Sequence, residues 1–308
     1  MMARATPIEW VLFLALGFMW GSSYLFIKIA VDGFGTFTLI ALRLLIGAAF
    51  LWVAFRMNGT SLPRERRIYG HLIVMAVVNI TIPFALITWA EQSVDSALAA
   101  ILNATVPLFV IVIAPMFLPE EPIRLNGIVG LAVGFIGVVL LVSPGLMSAS
   151  GDLAGSIALL GSSLAYALGN VYSRRNVRGL PSLVPAVFQV TFALIIVTVL
   201  AVVLERPWEN ASPDIGDWFA VVWLGVFGSG MAYVLYFRLL GSWGATRTAL
   251  VAYLLPVYGI VLGFLVLQER IDLTLIVGTV LIIAGVALVN GPWGQRRLFG
   301  TAPPAETA

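Results

Sequence analysis

Aromatic and asparagine side chains recur inside long apolar stretches of the chain, where hydrocarbon would leave their polar atoms without partners. An indole or phenol ring offers a flat apolar wall with one polar atom, and a side-chain amide offers donors and an acceptor. Together such groups can hold an ammonium or amide group of a small solute without a fixed countercharge. The side chains predicted to bind a solute are Trp20, Asn79, Trp89, Asn103, Tyr166, Asn170, Tyr236 and Tyr253.

Proline and glycine interrupt several of the same stretches. Proline lacks a backbone donor and frees the carbonyl four residues earlier, which is Asn79 for Pro83 and Asn103 for Pro107. In a bilayer, such freed groups persist only where protein or a water-filled cavity lies alongside. The alternative, that these residues only set kinks and close packing, stays open because both types are common in membrane helices. The predicted hinge or gating positions are Pro83, Pro107, Gly228 and Pro256.

Few charged side chains fall within these stretches. Lys28 stands close to one end and can reach water along its flexible stem. Arg43 lies deeper, where it either holds backbone carbonyls between helices or contacts an anionic substrate. Trp89 also stands near the end of its stretch, so a position at the membrane interface is the competing interpretation for this ring.

Catalytic and metal-binding patterns are absent from the sequence. It has no cysteine and one histidine, which excludes disulfides, thiolate zinc sites and Cys–His catalysis. It also lacks HExxH, GxSxG and phosphate-loop motifs. The net charge of +2 gives no reason to expect nucleic-acid binding. We therefore expect no enzyme activity, no cofactor, no metal and no nucleic-acid partner.

Ten apolar stretches must position the residues named above. Hydrophobic residues make up 60% of the chain and charged residues 10%, whereas soluble proteins average about a quarter charged. Because a helix crosses a bilayer in about 20 apolar residues, the sequence predicts an all-α integral membrane protein with ten transmembrane helices. Their approximate bounds are Trp10–Val31, Phe37–Phe55, Gly70–Ala90, Ala97–Leu118, Leu125–Val142, Leu153–Tyr172, Leu183–Leu204, Trp218–Leu240, Thr246–Leu267 and Leu273–Asn290.

The sequence contains an internal repeat. Residues 97–142 and 246–289 each contain an apolar run with a proline, a short acidic break and a second run with glycines. From Glu121 and from Glu269 alike, glycines stand nine and sixteen residues further on. Five helices per copy is an odd number, so the second copy enters the membrane from the opposite side. The sequence thus predicts two inverted five-helix repeats, over residues 1–146 and 147–291, and a tail over 292–308.

The basic residues predict the orientation, since Lys and Arg are retained on the cytoplasmic side. With the N-terminus inside, 13 of the 17 Lys and Arg residues face the cytoplasm, Lys28, Arg206 and Arg270 face outward, and Arg43 lies within a span. Both termini and the tail are therefore predicted to be cytoplasmic, in a multi-pass protein of the cytoplasmic (inner) membrane.

These features resemble the EamA family of the drug/metabolite transporter (DMT) superfamily over nearly the whole chain. The resemblance implies a ten-helix secondary transporter, often an exporter of amino acids, metabolites or drugs. It also implies a central cavity lined by the first, third, fourth, sixth, eighth and ninth helices. The residues that carry it are Trp20-Gly21-Ser22-Ser23, Arg43, Ser96–Ala100 with Pro107 and Glu121, and Pro256 with Glu269 and Gly285.

The expected function is export of small organic solutes, such as amino acids or related metabolites, by alternating access. A multidrug-type efflux or uptake permease of the same fold is the alternative, and a membrane-embedded enzyme or a receptor is less favoured. The expected partners are a small-molecule substrate and the lipid bilayer, with the protein acting as a monomer or homodimer. Proton exchange, substrate exchange and facilitated diffusion all stay open, because Glu91 and Asp95 border spans and no acidic residue lies in mid-span.

Overall fold

The structure, a computed structural model, describes residues 6–118, 125–147, 152–177, 179–181, 183–210, 212–243, 251–252 and 254–290. These residues form helices and connecting turns, and none of them belongs to a β-strand. Within them, seven helical stretches are long and apolar enough to cross a membrane, and three further apolar helices are shorter. The chain is therefore an all-helical membrane protein, while the count of ten spans and the inversion of the repeats stay predictions.

The helices fall into two halves that are consecutive in the chain. The first half comprises α1 (Pro7–Ala30), α2 (Thr36–Met57), α3 (Arg66–Ala76), the π-helical segment π1 (Val77–Thr81), α4 (Ile82–Ala90), α5 (Ser96–Asn103), α6 (Val106–Phe117) and α7 (Leu125–Met147). The second half comprises α8 (Asp152–Asn176), α9 (Leu183–Leu200), π2 (Ala201–Glu205), α10 (Pro207–Asn210), α11 (Ile215–Trp223), π3 (Leu224–Met231), α12 (Ala232–Trp243), α13 (Leu254–Leu267) and α14 (Leu273–Asn290).

Side-chain caps begin helices in both halves. At the start of α1, Thr6 and Glu9 bond to each other's backbone N–H groups and Pro7 occupies the first turn. This pairing satisfies two donors that a helix end leaves free, and proline costs nothing there because its missing N–H would have no partner. Asp214 and Asp217 form the same reciprocal pair before α11.

The predicted breaks coincide with irregular backbone. Before Pro83 the helix widens into π1, and the N–H of Ile82 bonds to the carbonyl of Val77 five residues earlier. Proline has no N–H to donate, and the π turn accommodates this because its N–H groups bond to carbonyls five residues earlier. The segment π3 contains Gly225, Gly228 and Gly230 and widens α11–α12 in the same way.

The chain also breaks between α5 and α6, just before Pro107. There the carbonyl of Leu102 accepts the backbone N–H of Thr105 at 3.2 Å, its hydroxyl at 2.6 Å, and the hydroxyl of Ser163 at 3.1 Å. The carbonyl of Leu102 at this break is thus satisfied by protein, as a bilayer requires. Whether these breaks act as hinges stays a prediction.

The two halves pack against each other along most of their helices. α7 lies against α14, α2 against α9 and π3, α13 against α1 and α5, and α4 against α8. Glycine permits the α7–α14 contact: a Cβ built on Gly285 would fall 2.6 Å from the carbonyl oxygen of Gly130, and one on Gly137 would fall 2.9 Å from that of Gly278. Glycines at helical spacing let two backbones approach closely within a bilayer.

One end of the bundle is tied together by carboxylates of the second half. We call it the Lys28 end, because α1 ends there just after Lys28. Glu205 accepts the backbone N–H groups of Phe37 and Thr38, both at 2.8 Å, and the Thr38 hydroxyl at 2.8 Å. It thereby caps α2, which Gly35 precedes without a side-chain cap of its own.

Glu269 caps α5 at the same end. It accepts the backbone N–H of Ser96 at 2.8 Å, the Ser96 hydroxyl at 2.7 Å and the backbone N–H of Ala97 at 3.0 Å. Asp95, in the N-cap position, makes no side-chain capping bond. A negative charge at a helix N-terminus also interacts favourably with the helix dipole. Each of these two glutamates therefore joins a first-half helix to the second half.

Candidate functional site

A buried arginine stands where five elements from both halves converge. Arg43 in α2 is 3% exposed, and its Nε donates to the hydroxyl of Ser229 in π3 at 3.3 Å. Its guanidinium carbon lies 4.3 Å from the centre of the Phe84 ring in α4. The phenol groups of Tyr166 in α8 and Tyr233 in α12 lie within electrostatic range of it. We call Arg43, Phe84, Tyr166, Ser229 and Tyr233 the Arg43 cluster.

The backbone of π3 allows this approach because it carries glycine at the contact. A Cβ built on Gly228 would lie 2.9 Å from the hydroxyl oxygen of Ser23 and 3.3 Å from Nη2 of Arg43. Gly228, predicted as a hinge or gate, therefore lies directly against the guanidinium. A larger residue at this position would push the arginine away from Ser229.

Most N–H donors of the Arg43 guanidinium are not bonded to a described residue. Of its five N–H donors, only Nε–H is bonded to a described residue, and no carboxylate of the described chain forms a salt bridge with it. The two terminal nitrogens present a planar fork, whose geometry matches the two oxygens of a carboxylate. The guanidinium carbon lies over the Phe84 ring, whose face attracts a cation.

Trp20 extends the cluster along α1. Its ring centre lies 5.5 Å from that of Tyr236 and 6.3 Å from that of Tyr233. Tyr233 thus contacts Trp20 and also lies within electrostatic range of Arg43. The structure therefore brings three of the predicted solute-binding residues, Trp20, Tyr166 and Tyr236, to the Arg43 cluster.

Asn103 is buried beside this group and already engaged. Its Nδ2 donates to the hydroxyl of Tyr24 at 2.6 Å, and its Oδ1 accepts the hydroxyls of Ser163 at 3.1 Å and Ser162 at 3.4 Å. These bonds tie α5 to α1 through Tyr24 and to α8 through the two serines. Because its oxygen and one N–H are already bonded, Asn103 connects helices and has little capacity left to bind a solute.

Asn79 lies in a second polar contact, between π1 and the second half. Its Nδ2 donates to Oε1 of Gln189 in α9 at 3.2 Å. A Cβ built on Gly169 in α8 would lie 2.8 Å from its Oδ1, so this helix passes close by. Asn79 therefore bridges π1 and α9 where the helix widens before Pro83.

The remaining predicted residues lie elsewhere or outside the described chain. Trp89 is 47% exposed at the end of α4, a position that suits the membrane interface better than an enclosed site. Asn170 is exposed and lies one turn beyond Tyr166 on the same face of α8. Pro256 is buried near the start of α13. Tyr253 lies outside the described residues.

The cluster also contains residues that the sequence did not single out as binding a solute. Phe84 and Ser229 are an ordinary apolar residue and an ordinary small residue in apolar stretches, so neither gives a signal of its own. Tyr233 gives one, because it lies three residues before Tyr236 and therefore on the same helix face. Ser162 and Ser163, which bond Asn103 and lie outside the cluster as defined, give only the weak signal of adjacent hydroxyls in a membrane helix.

Comparison with known proteins adds similarities over most of the chain. Residues 8–143 and, separately, 153–291 match the sequence profile of the EamA-like transporter family. The inner membrane transporter YedA of Escherichia coli is 29% identical over 262 residues, which cover 83% of this chain and 82% of YedA. The transporter YoaV of Bacillus subtilis is 22% identical over 285 residues, with 91% and 96% covered. A crystal structure 23% identical in sequence has a TM-score of 0.66 over 92% of this chain and 96% of that chain, and so shares the fold.

Proposed function

Because the chain belongs to the EamA-like transporter family and is a membrane transporter of the drug/metabolite type, we propose that it exports small organic solutes, such as amino acids or related metabolites, from the cytoplasm. The solute site is the Arg43 cluster together with Trp20 and Tyr236. One observation carries this proposal: a buried guanidinium, at a point where both halves meet, has terminal N–H groups that no described residue bonds.

The chemistry of the cluster favours a solute with a carboxylate. A guanidinium fork donates two parallel hydrogen bonds to a carboxylate, and lysine cannot reproduce that geometry. The rings of Trp20, Tyr233 and Tyr236 supply an apolar wall for a side chain, and their faces attract an ammonium group. An amino acid carries all three of these features, which makes amino acids and related metabolites the solutes of choice.

The position of the cluster suits alternating access. Arg43 lies seven residues into α2 from Thr36, so it is about 10 Å from the Lys28 end. Release at that end requires the bonds of Glu205 and Glu269 to open, because each links a first-half helix to the second half. We take the Lys28 end to be the outer end, from the distribution of basic residues.

The packing between the halves supports the inverted repeat. If the predicted spans are numbered one to ten, span one of the first half corresponds to span six of the second, and span four corresponds to span nine. A contact between spans one and nine should therefore have a counterpart between spans six and four. Both contacts are present, as α1 against α13 and α8 against α5 and α6. The contacts of spans two with eight and seven with three, as α2 against π3 and α9 against α3, exchange in the same way. A two-fold relation between halves predicts such exchanges.

Transport by purified protein in proteoliposomes tests the proposal, with a panel of radiolabelled amino acids as solutes. Arg43→Lys keeps the charge but loses the fork, and we expect the half-saturating concentration to rise about 10- to 100-fold. Trp20→Ala should weaken binding about 10-fold through the lost wall. The matched controls are Arg56→Lys and Trp208→Ala, because both side chains are exposed and lie outside the cluster.

Two outcomes would contradict the proposal. Unchanged affinity in Arg43→Lys and Trp20→Ala, for every solute that the parent moves, would show that the site lies elsewhere. Transport of bulky cationic drugs with no amino acid transport would favour the multidrug-type alternative, because the positively charged guanidinium repels a cation. Asn103→Ala is expected to lower stability more than affinity, because its oxygen and one of its N–H groups are already bonded.

A further inference from the structure

A glutamate at the Lys28 end is buried with no hydrogen bond from a described residue to its carboxyl group. Glu91 directly follows the last residue of α4, yet its side chain is 0% exposed. Within the described residues, neither of its carboxyl oxygens has a hydrogen-bond partner. An ionised carboxylate in such a place is costly, because burial removes the water that stabilises its charge and nothing replaces it. The neutral, protonated form avoids that cost.

The charged and titratable groups around Glu91 come from three elements. Lys28 and Tyr24 lie on α1, Arg43 on α2, and Glu269 in the connection between α13 and α14. Burial raises the pKa of the Glu91 carboxyl well above its ordinary value. Lys28 and Arg43 oppose that rise, while the negative charge of Glu269 adds to it.

Lys28 does not neutralise the carboxyl by direct contact. Its Nζ donates instead to backbone carbonyls, that of Glu91 itself at 2.6 Å and that of Val94 at 3.0 Å. Backbone carbonyl oxygens are common ligands of hard cations, and the ammonium group already occupies these two. The geometry therefore favours a proton over a metal ion as the ligand of Glu91.

We propose that Glu91 is a proton-binding site of the transport cycle, which holds its proton while the Lys28 end is closed and releases it when that end opens. This inference rests on the proposed function, because it links the proton to alternating access. When the end opens, water reaches the carboxyl, the O–H bond breaks, and the proton passes to water as hydronium and leaves a carboxylate. Closure reverses the step.

The charge on Glu91 acts on the contacts that close this end. Ser96, which Glu269 holds through its backbone N–H and hydroxyl, lies five residues after Glu91. A carboxylate at Glu91 repels Glu269, and this repulsion weakens the link between α5 and the second half. A protonated Glu91 removes the repulsion, so proton binding and closure of the Lys28 end favour each other.

The first experiment measures stability against pH and needs no solute. The folded pKa of Glu91 is raised, so its protonated form stabilises the protein below the ordinary carboxyl pKa, and this stability is lost as pH rises through the folded pKa. In the purified full chain, wild type should therefore lose thermal stability as pH increases. E91Q, whose amide resembles the protonated acid, should match wild type at low pH and exceed it at high pH.

Two further variants make that result specific. E269Q is the matched control, because its carboxylate is bonded; it should lower stability at every pH rather than raise it. Lys28→Gln removes a positive charge that opposes proton binding, so the pH at which stability falls should move upward. This second variant decides the matter if E91Q does not fold. Equal pH profiles for wild type and E91Q, or an unmoved profile in Lys28→Gln, would overturn the proposal, as would a stability that follows sodium concentration at fixed pH.

The second experiment connects the proton to transport. In proteoliposomes, an imposed pH gradient should change the rate at which wild type moves the amino acid that it transports, and it should leave the rate of E91Q unaffected. A gradient response of equal size in E91Q would refute the coupling. If the parent moves no solute of the panel, the proposed function fails, while the stability profile still decides whether Glu91 binds a proton.

Discussion

Glu269→Ala removes the carboxylate that caps α5 from the other half of the chain. Three donors lose their acceptor: the backbone N–H groups of Ser96 and Ala97 and the Ser96 hydroxyl. Water replaces Glu269 poorly, because Ser96 is 0% and Ala97 is 3% exposed. The substitution therefore leaves buried donors without partners and also breaks a link between the halves.

The magnitude follows from the bonds lost. Removing a helix N-cap acceptor costs about 0.5–2 kcal/mol, and a buried donor without a partner costs about 1–3 kcal/mol. Water entering from the half-buried side of Glu269 relieves part of this, so we expect the free energy of unfolding to fall by about 3 kcal/mol. Glu269→Gln retains one acceptor oxygen and should lose about half as much.

Unfolding in mixed micelles of denaturing and mild detergent, followed by tryptophan fluorescence, measures this loss. Asp272→Ala is the matched control: its carboxylate also caps a helix, by accepting the N–H of Leu275 at 2.7 Å, but within α14 alone. That change should cost only about 1 kcal/mol. Equal losses for the two variants, or a loss below about 0.5 kcal/mol for Glu269→Ala, would refute the idea that Glu269 holds the halves together.

Two further predictions concern packing and topology. Gly285→Ala should lower stability by about 1–3 kcal/mol, because its Cβ would fall 2.6 Å from the carbonyl oxygen of Gly130, whereas Gly70→Ala, with open space around it, should not; equal unfolding midpoints would show that α7 and α14 do not need glycine contact. In this cysteine-free chain, a cysteine at Arg66 should react with an impermeant maleimide only from the cytoplasm and one at Asp214 only from outside; the reverse pattern would invert the topology.

The helical framework was accessible from sequence because it depends on local properties. The length of an apolar run sets a span, and a proline marks the place where regular hydrogen bonding ends, as π1 before Pro83 and the break before Pro107 illustrate. The spacing of the glycines in α7 and α14 marks the repeat, and the structure places these two helices in close contact. Trp20 and Tyr236 are predicted as binding residues from their residue type within apolar spans, and their rings lie together.

The partners of polar residues were not accessible in the same way. Arg43 has two interpretations in the sequence, and Ser229, which it contacts, is 186 residues further along the chain. Asn103 has the residue type of a binding group, yet Tyr24 and Ser163 use its polar atoms. The full burial of Glu91 in the turn after α4 depends on residues that are distant in the chain, such as Lys28 and Glu269. Such properties arise from tertiary packing, which no local pattern encodes.

The two cross-half caps also bear on how the chain is made. Phe37 enters the membrane early in synthesis, but its capping acceptor, Glu205, is translated 168 residues later. Until then the amino-terminal ends of α2 and α5 expose bare backbone donors at the membrane surface. The newly made first half is thus a provisional assembly, which its second half completes by supplying the missing acceptors. If the two halves were translated as separate chains, the same capping contacts would still be available to join them.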